Sequence, residues 1–209
     1  MHKIIERGYR AFNRLVPSDI TRVLILDLSR LAAPPTIAPQ YLFTFLTSEQ
    51  IAAFSSNPAN ELNSEAASLI SSQQARCYAA IIEGELAAYA WVAKGNVAAE
   101  LNSGGADFRG IGFGLPESMA YVFKVLVLPA QRGKSLNGRL LINLGSHLKN
   151  EQVEHLITTT GWTNWPYLRS AEKTGFEQLA LAGEFIVGSK HFYKLPALNR
   201  EGLRLLAEP

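Results

Sequence analysis

At 209 residues, 47% apolar and 18% charged, the chain can bury one sizeable core but leaves little room for a second independent domain. Its formal charge of +2 suits a small anionic ligand and falls short of the basic face of a duplex-binding protein, so no nucleic-acid partner is expected. A single cysteine, Cys77, excludes an internal disulfide and a cysteine-rich metal site, and with no apolar run near the roughly 20 residues that cross a bilayer, a cytoplasmic protein without a transmembrane segment is expected.

His2 to Val16 reads as a basic amphipathic helix, with Ile4, Ile5, Phe12 and Leu15 near one face and Lys3, Arg7, Arg10 and Arg14 largely elsewhere. Packing on the domain is a plainer use for it than lying on an anionic membrane. Pro17 and Ser18 end it, and Arg22 to Ser29 alternates as a strand. Ala32 to Pro39 holds three prolines and reads as a linker. Residues 1–39 therefore form an N-terminal helix–strand extension, residues 40–196 the main domain and residues 197–209 a tail.

Within the main domain, Tyr41 to Leu46 predicts a strand, and Thr47 or Ser48 caps a helix reaching Phe54. Ser64 to Gln74 predicts a further helix. Arg76 to Ile82 and Leu86 to Ala93, joined by Glu83-Gly84-Glu85, predict an antiparallel hairpin. Asn102 to Ser118 contains five glycines and a proline and predicts a loop, either a lid beside an active site or plain surface. Its Gly110-Ile111-Gly112-Phe113-Gly114 run lacks the preceding strand and following helix of a dinucleotide loop.

Met119 to Leu128 is nearly all apolar apart from Lys124 and predicts a strand buried on both faces, stopped by Pro129. From Ser135 to Asn150, Leu136, Leu140, Leu141, Leu144 and Leu148 recur at helical spacing. His155 to Thr160 is the next strand, expected parallel to Met119–Leu128 because a helix intervenes. Trp165 to Thr174 predicts a helix ended by Gly175. Phe176–Ala182, Glu184–Gly188 and His191–Leu195 read as short closing strands.

The stretch from Val127 to Gly138 joins a buried strand, a basic glycine-bearing turn and a helix start. Free N–H groups and the dipole at a helix N-terminus favour a phosphate there. Arg132 and Lys134 add positive charge, and Gly133 lets the backbone turn unhindered. A capped helix after a solvated basic turn is the plainer alternative.

This stretch resembles the acetyl-CoA signature of the GNAT N-acetyltransferase superfamily, V-x-P-x-x-R-G-K-G-x-G before a leucine-rich helix. The second signature of that family, an asparagine followed at fixed spacing by E-K-x-G-F, is matched by Asn164 and Glu172-Lys173-Thr174-Gly175-Phe176. The resemblance spans Gln40 to Leu195, with its specific motifs between Val125 and Phe176. It implies an α/β (α+β) fold, a mixed central sheet flanked by helices, to which the N-terminal helix and strand are added.

The resemblance further implies that Val125, Leu126 and Val127 offer backbone groups to the pantetheine arm of acetyl-CoA, in a gap where two parallel strands splay apart. It places the pyrophosphate on Arg132, Gly133, Lys134, Ser135, Leu136, Asn137 and Gly138, and the CoA arm against Asn164. Ser135 and Asn137 stand where the family usually has glycine or alanine and so threaten to crowd the phosphates. Ala171 stands where many relatives have the tyrosine that protonates the departing thiolate.

The reaction implied is direct attack of a primary amine on the thioester, which needs a proton acceptor and a polarised carbonyl. Glu117 and Tyr121 are the nearest matches to the glutamate that relatives carry in the strand before the phosphate loop. Tyr167 and Tyr193 are candidate acids for the thiolate, and Trp162 and Trp165 candidate walls for a sugar or aromatic acceptor. His147, His155 and His191 lack metal-ligand spacing, so no metal is expected. A CoA-binding module without catalysis and a transferase of longer acyl groups share these motifs, and homodimerisation through the N-terminal extension stays open.

Overall fold

The computed structural model describes residues 7–9, 11–13, 16–31, 40–62, 75–102, 108–198 and 202–207. The expected helix Ser64–Gln74, the linker Ala32–Pro39 and much of the expected helix His2–Val16 lie outside these residues. Residues 7–9 and 11–13 are helical.

The chain folds into a mixed α+β structure around an eight-stranded sheet. In chain order its strands are β1 (Ser18–Asp27), β2 (Tyr41–Phe45), β3 (Arg76–Ile82), β4 (Glu85–Ala93), β7 (Met119–Val127), β8 (His155–Gly161), β9 (Glu177–Val187) and β10 (Lys190–Lys194). They lie side by side in the order β10-β9-β1-β8-β7-β4-β3-β2. Three short strands, β5 (Asn96–Val97), β6 (Gly112–Gly114) and β11 (Arg204–Leu206), form a second sheet with β6 in the middle. The helices are α1 (Ser48–Ser55), α2 (Leu136–Lys149) and α3 (Trp165–Thr174). All neighbours in the large sheet are antiparallel except β7 and β8, where the α2 crossover requires parallel pairing.

Strand alternation sorts the side chains into two cores. On one face Val23, Ile25, Tyr89, Trp91, Tyr121 and Ile157 pack with Ile51 of α1 and Phe113 of the small sheet. On the other, Leu24, Leu26, Ala90, Val122 and Leu156 pack under Leu140, Leu141, Leu144 and Leu148 of α2 and Ala171 of α3. The leucine spacing read from the sequence is thus the buried stripe of α2. Cys77 is buried in the first core, and burial pushes its thiol far above the ordinary range, where it acts as a small hydrophobe.

Three differences from the sequence reading bear on the site. First, β1 begins at Ser18 rather than Arg22 and lies inside the sheet. Thr21–Asp27 pairs with β8, and Ser18–Ile25 with β9. The boundary expected at residue 40 therefore does not set β1 apart from the sheet. Second, the two closing strands expected on either side of Gly183 are one, β9; its extra residue is absorbed by a register shift against Val23 and Leu24. Third, the glycine-bearing loop and the tail contribute β6 and β11, which pair with each other. A β-carbon on Gly112 would stand 2.9 Å from the Val97 carbonyl oxygen, so this glycine serves close strand approach rather than phosphate binding.

Candidate active site

The site opens where β7 and β8 part. Their parallel ladder runs from Met119 opposite His155 to Val122 opposite Thr158 and ends there. β7 continues against β4, and β8 against β1. At the parting β7 carries a bulge: Trp91 pairs with Phe123 and Tyr89 with Leu126, so Ala90 faces two residues, Lys124 and Val125. Lys124 takes the left-handed conformation, φ 46°, which costs a non-glycine residue about 1 kcal/mol or more. The bulge reverses the alternation. Val125 and Val127 join the helix-side core, and Leu126 the opposite one. The strand edge is thereby turned away from β8 and its backbone groups face a gap.

A cavity of about 520 Å³ fills this gap, lined among others by Asp19, Asn102, Tyr121, Phe123, Thr159 and Tyr167. A second, of about 690 Å³, extends from it along Val125, Leu126 and Val127 to Arg132, Gly133, Ser135, Leu136 and Asn137. The two share Val125, Asn164 and Tyr167. A third, of about 660 Å³, continues past Ser135 and Gly138 between α2 and α3, beside Arg139, Arg169 and Lys173. Together they form one groove, basic at its far end and reaching through the sheet at the other.

The turn from Pro129 to Ser135 sets up the helix N-terminus. Gly133 has φ 78° and Ser135 φ 55°, and Ser135, the N-cap of α2, makes no side-chain capping bond. The first amides of α2 are therefore left without a cap, a preformed anion site. The Asn137 side-chain amide donates to Ser170 Oγ of α3 at 2.8 Å, and both residues line this part of the groove. Gly138 has a packing reason as well: a β-carbon there would lie 3.4 Å from Thr174 Oγ1. Arg132 and Lys134 are exposed, with Arg132 Nε donating to the Val127 carbonyl at 3.2 Å and Lys134 Nζ to Gln131 Oε1 at 2.8 Å.

Asn164 caps α3, Oδ1 accepting the Tyr167 amide at 3.4 Å, while Nδ2 donates to Thr160 Oγ1 at 3.1 Å. It thereby ties the start of α3 to the free edge of β8. The Tyr167 hydroxyl meets Thr158 Oγ1 at 3.1 Å. Burial holds its phenol above the ordinary value, and the Thr158 hydrogen bond opposes that.

On the opposite face the hydrogen-bond directions follow from one fixed amide. Asn102 Nδ2 donates to the Ile111 carbonyl at 3.1 Å, so Oδ1 faces Thr159 and accepts its hydroxyl proton. Tyr121 must then be the donor in its 2.7 Å contact with Thr159 Oγ1. Burial pushes the Tyr121 phenol well above its ordinary value. At neutral pH it is a donor whose proton is committed, not a base.

Not every expected residue meets the groove. Glu117 is exposed in the turn before β7, at the end of the strand away from the gap, and does not line the cavity; strand direction rather than sequence proximity separates them. Tyr193 sits beside Glu184 at 3.5 Å on the far side of β9. Trp162 packs edge-on against Tyr9, and Trp165 lies under the Arg22 guanidinium, both away from the cavity. Ala171 is buried against the helix-side core. The sequence reading passed over Asp19, Thr21 and Asn102, which do line the cavity; their signal was polar alternation, Asp19 and Thr21 continuing the face of Val23 and Ile25. No group of three or more potential metal ligands occurs among the described residues, and no helix among them is long and apolar enough to cross a membrane.

No protein-family model matches the sequence, and no curated protein matches it. Solved structures do match. A tandem GNAT protein from the clavulanic acid biosynthesis pathway superposes with TM-score 0.52 at 21% identity, covering 82% of this chain and 55% of that one. A GCN5-related glucosamine N-acetyltransferase region of a fungal multi-domain β-N-acetylglucosaminidase gives 0.55 at 18%, covering 89% and 23%. A GNAT-family acetyltransferase from Colwellia psychrerythraea gives 0.52 at 16%, covering 83% and 59%. The chain thus spans at most 59% of the length of these three proteins. The parallel strands β7 and β8 that part, the bulge on β7 at the parting and these superpositions lead to one conclusion: the chain has the fold of the GNAT acetyltransferases.

Proposed function

We propose that the protein transfers an acyl group, acetyl in the first instance, from coenzyme A to a primary amine of a small molecule, amino sugar or peptide. The observation that carries this reading is the continuity of the groove, from the uncapped N-terminus of α2 through the gap between β7 and β8 to the cavity beyond. Amides of Ser135 to Gly138, with Arg132 and Lys134, bind the pyrophosphate. Backbone groups of Val125, Leu126 and Val127 run alongside the pantetheine arm, and Asn164 holds the other wall. The thioester then reaches Tyr167, and the amine approaches from the face of Tyr121 and Phe123.

In the reaction the amine nitrogen attacks the thioester carbonyl; the N–C bond forms, the C–S bond breaks, the nitrogen loses a proton and the departing thiolate takes one up. Tyr167, raised in pKa and held by Thr158, is the proton donor for the sulfur. It replaces, one turn earlier on α3, the tyrosine expected at Ala171. Tyr121 holds Thr159, and through it Asn102, in one arrangement of the acceptor wall. Glu117, standing outside the cavity, plays no direct part in this scheme.

Calorimetry with acetyl-CoA tests the donor half. Micromolar binding is expected, weakened about tenfold in Arg132→Ala, the loss of roughly one charge-assisted contact; no heat of binding ends the reading. Release of free CoA with spermidine, glucosamine and an alanyl peptide tests the acceptor half. A second reading, binding without catalysis, is favoured by the burial of Ala171 and predicts acetyl-CoA binding with no acyl transfer.

A further inference from the structure

Among the described residues lining the cavity between β7 and β8, Asp19 is the one acidic side chain. It comes from β1, the strand that separates β8 from β9. Alternation along β1 places Asp19 and Thr21 on the same face as Val23 and Ile25, which is also the face of Tyr121 and Phe123. The Thr21 hydroxyl is close enough to the Asp19 carboxylate to oppose, in part, the effect of burial on it.

A second carboxylate lies beside it but is already committed. Glu184 of β9 stands opposite Asp19 in the ladder and is buried. Its oxygens accept the Arg109 amide at 3.0 Å, the Gly110 amide at 3.0 Å and His191 Nδ1 at 2.5 Å, with the Tyr193 hydroxyl at 3.5 Å. Glu184 anchors residues 109–110 to the sheet and does not line the cavity. Its fixed charge also acts on Asp19.

We infer that Asp19 is the proton acceptor of the transfer, taking up the ammonium group of a cationic primary amine that enters from the face opposite α2 and α3. The inference rests on the acyltransferase reading above. The ammonium proton passes to the Asp19 carboxylate, leaving a neutral amine. The amine attacks the thioester carbonyl, the thiolate leaves and is protonated by Tyr167, the nitrogen loses its second proton to solvent, and Tyr167 regains a proton from solvent. Asp19 returns its proton to water as the amide departs. Burial first, and the Glu184 charge second, hold the Asp19 carboxyl above its ordinary value, which makes it a better match for an amine proton.

The test compares the parent, Asp19→Asn and Asp19→Glu, using acetyl-CoA and the fastest acceptor of the amine panel. Asp19→Asn is expected to lower kcat/KM about 100-fold or more, the usual worth of a positioned base. Its affinity for acetyl-CoA should stay within about twofold, because the donor groove lies on the other face. Asp19→Glu should recover part of the rate. The acidic limb of the parent's pH profile should vanish in Asp19→Asn, while the other titratable groups around it, Glu184 opposite it on β9 and Tyr121, Lys124 and Tyr167 in the cavity lining, remain in place. An Asn variant as fast as the parent, or one that keeps the limb, overturns the inference and leaves the acyltransferase reading standing. If the parent binds acetyl-CoA but acylates no amine, or binds no acetyl-CoA at all, both fall.

Discussion

A β-carbon placed on Gly110 would stand 2.3 Å from the carbonyl oxygen of Ala99 and 3.0 Å from that of Asn102. With φ 83° and its amide bonded to Glu184, Gly110 locks the segment carrying Asn102 against the sheet. Gly110→Ala is expected to cost at least about 2 kcal/mol, from the left-handed backbone together with two collisions against main chain. Thermal melting checks the magnitude. Loss of amine transfer at temperatures where the variant is still folded would check the displacement of Asn102.

Asp19→Asn should gain stability as it loses activity. The folded-state carboxyl is raised, by burial and then by Glu184, so ionising it works against the native fold. The penalty is absent below the ordinary carboxylate value, develops as pH rises from there through the raised one and is full above it. The variant should therefore melt above the parent near neutral pH, with the gap closing in acid. An equal or lower melting point at neutral pH would count against the burial described for Asp19.

Glu151 behaves in the opposite sense. It accepts Arg76 in bidentate fashion at 2.9 and 2.8 Å and Lys94 at 2.9 Å, fastening the end of α2 to β3 and to the residue after β4. The Arg76 hydrogen bonds, more than the Lys94 bond and the two charges, pull its carboxyl down to about 2. A lowered value stabilises the fold above the ordinary carboxylate range, and that stability fades as pH falls from there toward about 2. Glu151→Gln should cost about 1 kcal/mol near neutral pH, given partial exposure. Urea melts should show the difference shrinking in acid.

Tyr121→Phe removes a buried donor and leaves Thr159 still donating to Asn102. A loss of about 1 kcal/mol is expected. Since the phenol is no base at neutral pH, kcat should fall far less than in Asp19→Asn, and the shape of the pH profile should persist. A profile that loses its acidic limb in Tyr121→Phe would transfer the base role away from Asp19.

The part of the groove from Val125 to Gly138 is built from elements legible in the sequence as local signals: a buried strand, a turn with Gly133, and a leucine stripe on α2. Asn164 was legible for the same reason, as an N-cap at fixed distance from Gly175. The cavity beyond the gap was not, because it is assembled from distant segments. Ser18 to Thr21 lacks the apolar alternation that marks a strand, since this end of β1 walls a cavity instead of a core. Glu117 was a natural guess by sequence distance, but it marks the start of β7, whereas the gap opens at Phe123. The bulge at Lys124 left no mark either; a lysine in an apolar strand gives no hint that the backbone turns left-handed there.

The interior position of β1 sets an order of events at the ribosome. Both of its neighbours, β8 and β9, follow it in the chain, β8 beginning at His155, 128 positions after β1 ends at Asp27. Until they are made, both edges of β1 lack their partners. Such late closure is slow and exposes a strand edge to other chains. The nascent sheet should accordingly depend on chaperones until β8 and β9 are made.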